Sequence, residues 1–184
     1  MSELTVAWAM RVAEAELGAV LPRRWAHTRG VVERASEVGR ALGEDAVLLL
    51  AAAALHDVGY APRLAVTGFH PLDGARFLRD EHSADERLVR LVANHSYALL
   101  EAEERGLAGE LADEFPLLDE PLLVDALVYC DMTTTPDGTR TPAVERVAKI
   151  QSRYGDDSVV GRFIQRAEPL IVSAVERVEA AQPR

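Results

Sequence analysis

The chain reads as an all-α protein in a single domain. Three features point that way. Apolar residues make up 48% of it, mostly Ala, Leu and Val, with only 5% aromatic. Apolar positions recur at helical spacing in nearly every segment. No stretch alternates apolar and polar residues with the β-branched richness of a strand. Its 184 residues suffice for one domain with a real core. The net charge of -10 argues against broad binding to nucleic-acid phosphates. It leaves room for a small anionic substrate, because one metal site reverses a local field. The single cysteine, Cys130, excludes an intrachain disulfide and fits a reducing compartment. The apolar run at residues 46–55 is too short to span a bilayer, and the N-terminus lacks the pattern of a signal peptide. A cytoplasmic domain without a membrane segment is the expectation.

Taken in order, Val6, Met10, Ala13 and Leu17 mark an amphipathic opening helix over 5–17. Gly18 punctuates it. Pro22 suits the first turn of a second helix that runs to about residue 42, with Val31, Ala35, Val38 and Leu42 on one stripe. Gly43 ends that helix. Residues 48–60, LLLAAAALHDVGY, form the centre: an alanine-rich apolar run that reads as a buried helix stopping near Val58. Residues 59–69 are irregular. His70-Pro71 opens the next helix, with His70 at the cap and Pro71 at the first position, and it ends before Ser83. Ser83-Ala84-Asp85-Glu86 has the form of a capping box and starts a helix carrying Leu88, Leu91, Val92 and His95. Residues 98–111 are helical and highly charged, hence a surface element, and 114–121 is a break. Residues 122–132 form an apolar helix that delivers Asp131. Pro136, Asp137 and Gly138 mark a turn in the loop that follows. Thr141-Pro142 caps a helix to about residue 154, and two further segments, 158–167 and 169–180, close the chain.

A buried helix should not end in two ionisable residues unless something satisfies them. His56 shares its face with Ala53, Ala52 and Leu49, and Asp57 with Ala54, Ala53 and Leu50. The anomaly repeats. His95 has Leu91, Val92 and Leu88 behind it, Asp131 has Leu127, Val128 and Val124, and His27 is followed by Val31 and Ala35. A buried unpaired carboxylate costs ~2–5 kcal/mol or more, or turns neutral. The apolar helices carrying Asp57 and Asp131 hold no lysine or arginine, so a metal ion is the economical partner. Imidazole nitrogen and carboxylate oxygen are common ligands of divalent transition metals. His27, His56, Asp57 and Asp131 suffice for one ion. His70 and His95 extend the set to two ions bridged by a carboxylate. Alone, each histidine reads as an ordinary core or cap residue; the set points to a metal.

The order His27, His56-Asp57, His70, His95, Asp131 on a helical frame resembles the HD-domain superfamily of metal-dependent phosphohydrolases, over roughly residues 27–135 of a ligand-bearing core at 22–135. The helical extension at 141–182 has no counterpart in that frame. The resemblance implies that His27, His56, Asp57 and Asp131 hold a first ion, and that His70 and His95 add a second, as in the binuclear branches. His70-Pro71 followed by Gly74 resembles those branches, which include hydrolases of dinucleoside polyphosphates. Many members carry a lysine two or three residues after the HD pair; Gly59 and Tyr60 stand here, so that lysine's role does not carry over. The implied activity is hydrolysis of a phosphoester or phosphoanhydride in a small phosphorylated metabolite, a nucleotide or dinucleotide. Water would be activated on one or two divalent ions (Fe, Mn, Co or Zn). Asp57 is the catalytic candidate, bridging the ions and orienting the nucleophile. Arg24, Arg76, Thr133, Arg140 and Asn94 are candidate substrate-binding residues. HD-type di-iron oxygenases share the same ligand order, and a non-catalytic module that binds a metal or nucleotide is a third reading.

Overall fold

The structure, a computed structural model, describes residues 5–182. The first helix, α1 (Val6–Ala13), is capped by Thr5, whose hydroxyl accepts the Trp8 N–H, and loosens into a wider turn over Glu14–Gly18. Helix α2 (Pro22–Val38) begins at Pro22 as its fixed φ allows. It stops short of Leu42, and Gly43 turns the chain at a φ of 57°. The alanine run forms α3 (Ala46–Leu55), and Ala51, Ala52, Ala53 and Ala54 are fully buried. Small side chains let α1 and α2 pack closely on it. The helix ends at Leu55, sooner than the apolar run implies, and Asp57 has left helical geometry with φ -101° and ψ 5°.

Helix α4 (His70–His82) takes His70 into its first turn and leaves the cap to Phe69. Ser83 closes it in a left-handed conformation, and the Ala84 N–H returns to the Leu78 carbonyl. With Ser83 committed there, the expected capping box does not form. Asp85 caps α5 (Glu86–Asn94) instead, accepting the N–H groups of Arg87 and Leu88. That helix ends one residue before His95. The charged stretch at 98–111 divides at Gly106, φ 73°, into α6 (Ala98–Arg105) and α7 (Ala108–Glu114). It is not purely a surface element, since Ala98, Glu101, Ala102 and Leu111 are buried.

Helix α8 (Pro121–Met132) packs against α2 and α3. Helix α9 (Ala143–Tyr154) follows, with Pro142 rather than a Thr141 side chain at its cap. The two expected closing segments are one helix, α10 (Val159–Ala181), which runs through Pro169. Proline removes one helical hydrogen bond. Ile164 and Ala167 before it, and Ile171 and Ala174 after it, are all buried, so packing on α6, α8 and α9 outweighs the loss. Among the described residues there is no strand beyond an isolated bridge between Thr134 and Arg140, and no helix is long and apolar enough to cross a membrane.

Candidate metal centre

Three histidines are aimed by the same device. Nδ1 of His56 lies 2.8 Å from the Ala53 carbonyl, that of His95 2.7 Å from Val92, and that of His27 2.9 Å from Thr135. A carbonyl only accepts, so Nδ1 carries a proton and Nε2 is left as the ring atom that faces the site. For His56 and His95 the carbonyl sits three residues back in the helix that has just ended. For His27 it comes from the loop after α8.

Asp57 is the hub. Its Oδ2 lies 3.3 Å from His56 Nε2 and 3.8 Å from His27 Nε2, while its Oδ1 lies 3.4 Å from His70 Nε2. His70 and His95 face each other Nε2 to Nε2 at 3.2 Å. Asp131 completes the first group, its Oδ1 3.1 Å from His27 Nε2 and 3.9 Å from His56 Nε2, while its Oδ2 accepts the Ser96 hydroxyl. Two trios that could each hold an ion therefore share one carboxylate: His27, His56 and Asp57, then Asp57, His70 and His95.

The electrostatics keep the two carboxylates ionised and favour neutral His70 and His95, whereas the carboxylates beside His56 favour its protonated form. Burial alone would lift the Asp57 carboxyl, yet Arg24 and then His56 hold it well below the usual carboxylate range. Burial likewise opposes ionisation of Asp131, and the His27 hydrogen bond and the His56 charge overcome it. Burial keeps His70 well below the usual imidazole value, with Asp57 offsetting part of the effect; burial and the His56 charge act in the same direction on His95. On His56 burial loses, because Asp57 and Asp131 raise its pKa to about 9. The residues fit a divalent ion. His56 Nε2 is fully buried without a hydrogen-bond partner, and the Nε2 atoms of His70 and His95 converge on each other beside an ionised carboxylate.

A family model for the HD domain matches residues 24–132, more than half of the chain. The chain belongs to the HD-domain family. Comparison with curated proteins and with solved structures finds no match. HD-domain proteins bind divalent metals, and the His/Asp groups of this HD domain are of a kind that could hold one.

The six proposed ligands converge, but of the proposed substrate residues only Arg24 joins them. Arg24 lines the cavity over the site and donates to Asp57 Oδ2 at 2.8 Å. So the buried carboxylate has a protein cation after all, supplied from α2 rather than from its own helix. Arg76 pairs with Glu110 and Glu114, away from the site; six residues past His70, it emerges about 240° further round α4. Thr133 donates to the Tyr129 carbonyl at 2.6 Å and accepts from Arg34. Thr133 and Arg140 line a separate cavity of about 460 Å³, where Arg140 pairs with Glu37. Asn94 holds the Arg90 and Phe115 carbonyls, a structural role.

The cavity above the HD-domain ligands, about 1100 Å³, also has residues that sequence reasoning missed. Tyr60 stacks on the His70 ring with centroids 3.8 Å apart and carries the Arg24 guanidinium 4.0 Å from its own centroid. Glu101 and its partner Arg105 line one wall, and Arg146, Lys149 and Arg153 of α9 line another. The only signal for the α9 group was three cations at helical spacing in a segment that holds the chain's sole lysine.

Proposed function

We propose that this HD domain is a metal-dependent hydrolase of a phosphoester or phosphoanhydride bond in a small phosphorylated metabolite, a nucleotide or dinucleotide. The observation that carries the reading is Asp57, with one oxygen toward the His27–His56 side and the other toward His70, on the floor of a cavity with cations in its walls. His27, His56, Asp57 and Asp131 would hold one ion, and Asp57, His70 and His95 a second, from Fe, Mn, Co or Zn. Bound there, a divalent ion supplies Lewis acidity toward a phosphoryl oxygen and brings the pKa of a water toward neutrality.

The chain's own groups do the rest. Asp57 is ionised at neutral pH and so can accept a hydrogen bond from the attacking water and orient it. Arg24 presents a planar guanidinium beside that carboxylate, suited to phosphoryl oxygens. Tyr60 holds Arg24 and His70 against the same ring. The carbonyl bonds of His27, His56 and His95 keep the imidazoles from turning as charge changes at the site.

The test is elemental analysis of the purified protein, followed by phosphate release from a panel of phosphorylated compounds with and without oxygen. Bound transition metal, anaerobic phosphate release and a loss of about 10²-fold or more in Asp57→Asn are expected. Strict dependence on O2 would replace this reading with the di-iron oxygenase. A metal-free protein whose biological role survives Asp57→Asn would replace it with the signalling module.

A further inference from the structure

Helix α9 forms part of the cavity wall that lies outside the family match, and it presents an unmatched row of cations. Arg146, Lys149 and Arg153 stand at i, i+3 and i+7, one face of the helix, and all three line the cavity. The other cavity cations are neutralised locally: Arg23 by Asp137, Arg24 by Asp57 and Arg105 by Glu101. Asp57, Asp131, Glu101 and Asp137 are the acidic residues lining the cavity, and each is engaged by a cation or a histidine. Nothing is left for α9. Arg146, Lys149 and Arg153 form no ion pair among the described residues, and Arg146 Nε is buried without any hydrogen-bond partner. This is a chain with 30 acidic and 20 basic residues, in which counter-charges are plentiful. An unsatisfied buried donor on a charged group carries a desolvation cost that a bound anion would remove.

We propose that this face binds a second phosphate of the substrate, remote from the one cleaved at the metal centre. A guanidinium fork and an ammonium on adjacent turns match the several acceptor oxygens of a phosphate. The substrate class then narrows to small molecules carrying phosphate at two positions. The location of the scissile phosphate rests on the hydrolase reading; the anion site does not.

The experiment therefore begins without metal. The full chain, stripped with EDTA, is titrated with inorganic pyrophosphate by calorimetry. Wild-type protein is expected to bind it. Lys149→Gln should weaken binding about tenfold or more, Lys149→Arg should retain it, and the R146Q/K149Q/R153Q triple should abolish it. Lys149 and Arg153 are exposed, so K149Q/R153Q offers a variant whose fold is undisturbed should Arg146 prove structural. No binding by wild type, or equal binding by wild type and K149Q/R153Q, overturns the proposal. With metal restored, K149Q should raise KM for substrates with a second phosphate and leave KM for p-nitrophenyl phosphate unchanged; an equal rise for both overturns the assignment to a second phosphate. Pyrophosphate binding that depends on α9, in a protein that hydrolyses nothing, supports the anion site and sinks the hydrolase reading alone.

Discussion

Gly59 stands where many HD-domain chains lead toward a lysine, and its lack of a side chain has a physical use here. A Cβ at Gly59 would stand 2.1 Å from the His70 carbonyl oxygen and 2.5 Å from the Gly74 nitrogen. Gly74 is equally hemmed in, with Gly59 N at 3.0 Å and a Val58 methyl at 3.2 Å from its own would-be Cβ. The start of α4 is thus pressed on the turn after Asp57 through two glycines, and this contact sets His70 beside the Asp57 carboxylate. Tyr60 then lies flat on His70. Gly59→Ala should cost about 1–3 kcal/mol in urea melts and weaken uptake of the second ion, because the backbone itself must move. Gly109→Ala is the control: nothing lies within 4 Å of its would-be Cβ, so a gain of about 0.5–1 kcal/mol is expected from helix propensity. Equal effects at the two glycines would contradict the close-approach account.

Among the elements, α3 and α5 each stop just before a candidate ligand histidine and then hold its ring with a carbonyl of their last turn. The helical-face rule anticipated that His95 is buried, but for the wrong reason. His95 is extended, φ -59° and ψ 148°, and its burial follows from two left-handed residues, Ser96 and Tyr97, that turn the chain back toward α8. Another element-level tie joins α4 to α7. Arg76 and Arg79 both engage Glu114, whose pKa falls from 4.5 to about 2, chiefly through the Arg76 hydrogen bond. A carboxyl with a depressed folded-state pKa stabilises the fold above its unfolded value, and that contribution is lost as pH drops through the folded value. Glu114→Gln should therefore lower stability by ~0.5–1 kcal/mol near neutral pH, since the pair is partly exposed. The deficit should shrink as pH falls from 4.5 toward about 2. A deficit in urea melts that stays constant over that window would show that the tie is not ionic.

For the whole molecule, the candidate metal centre draws on α2, α3, α4, α5 and α8 or the residues just after them, so a bound ion would act as a cross-link between elements far apart in sequence. Metal removal should lower the melting temperature, since an ion at about 100 times its Kd adds ~2.7 kcal/mol to the folded state. The check is a thermal melt with and without EDTA on protein of measured metal content; an unchanged midpoint in metal-bearing protein would refute the cross-link. Local order was legible from residues alone. Helical spacing named the helices, and polar groups on apolar faces named five of the six converging side chains, because burial of a charge is anomalous whatever the fold; His70, at a helix entry, joined them through its place in the ligand order. Two kinds of detail escaped. Pro169 passes unbroken through α10 because packing on both sides overrides local propensity, and Ser83 ends one helix instead of starting the next. The sequence by itself determined that this is a helical HD domain with an inward cluster of histidines and carboxylates. Only the tertiary structure decided which cations meet that cluster: Arg24, Arg146, Lys149 and Arg153 share its cavity, while Arg76 and Arg140 turn to carboxylates elsewhere. The reason is that the direction of a side chain toward a distant element depends on how helices remote in sequence pack, and no local pattern records that.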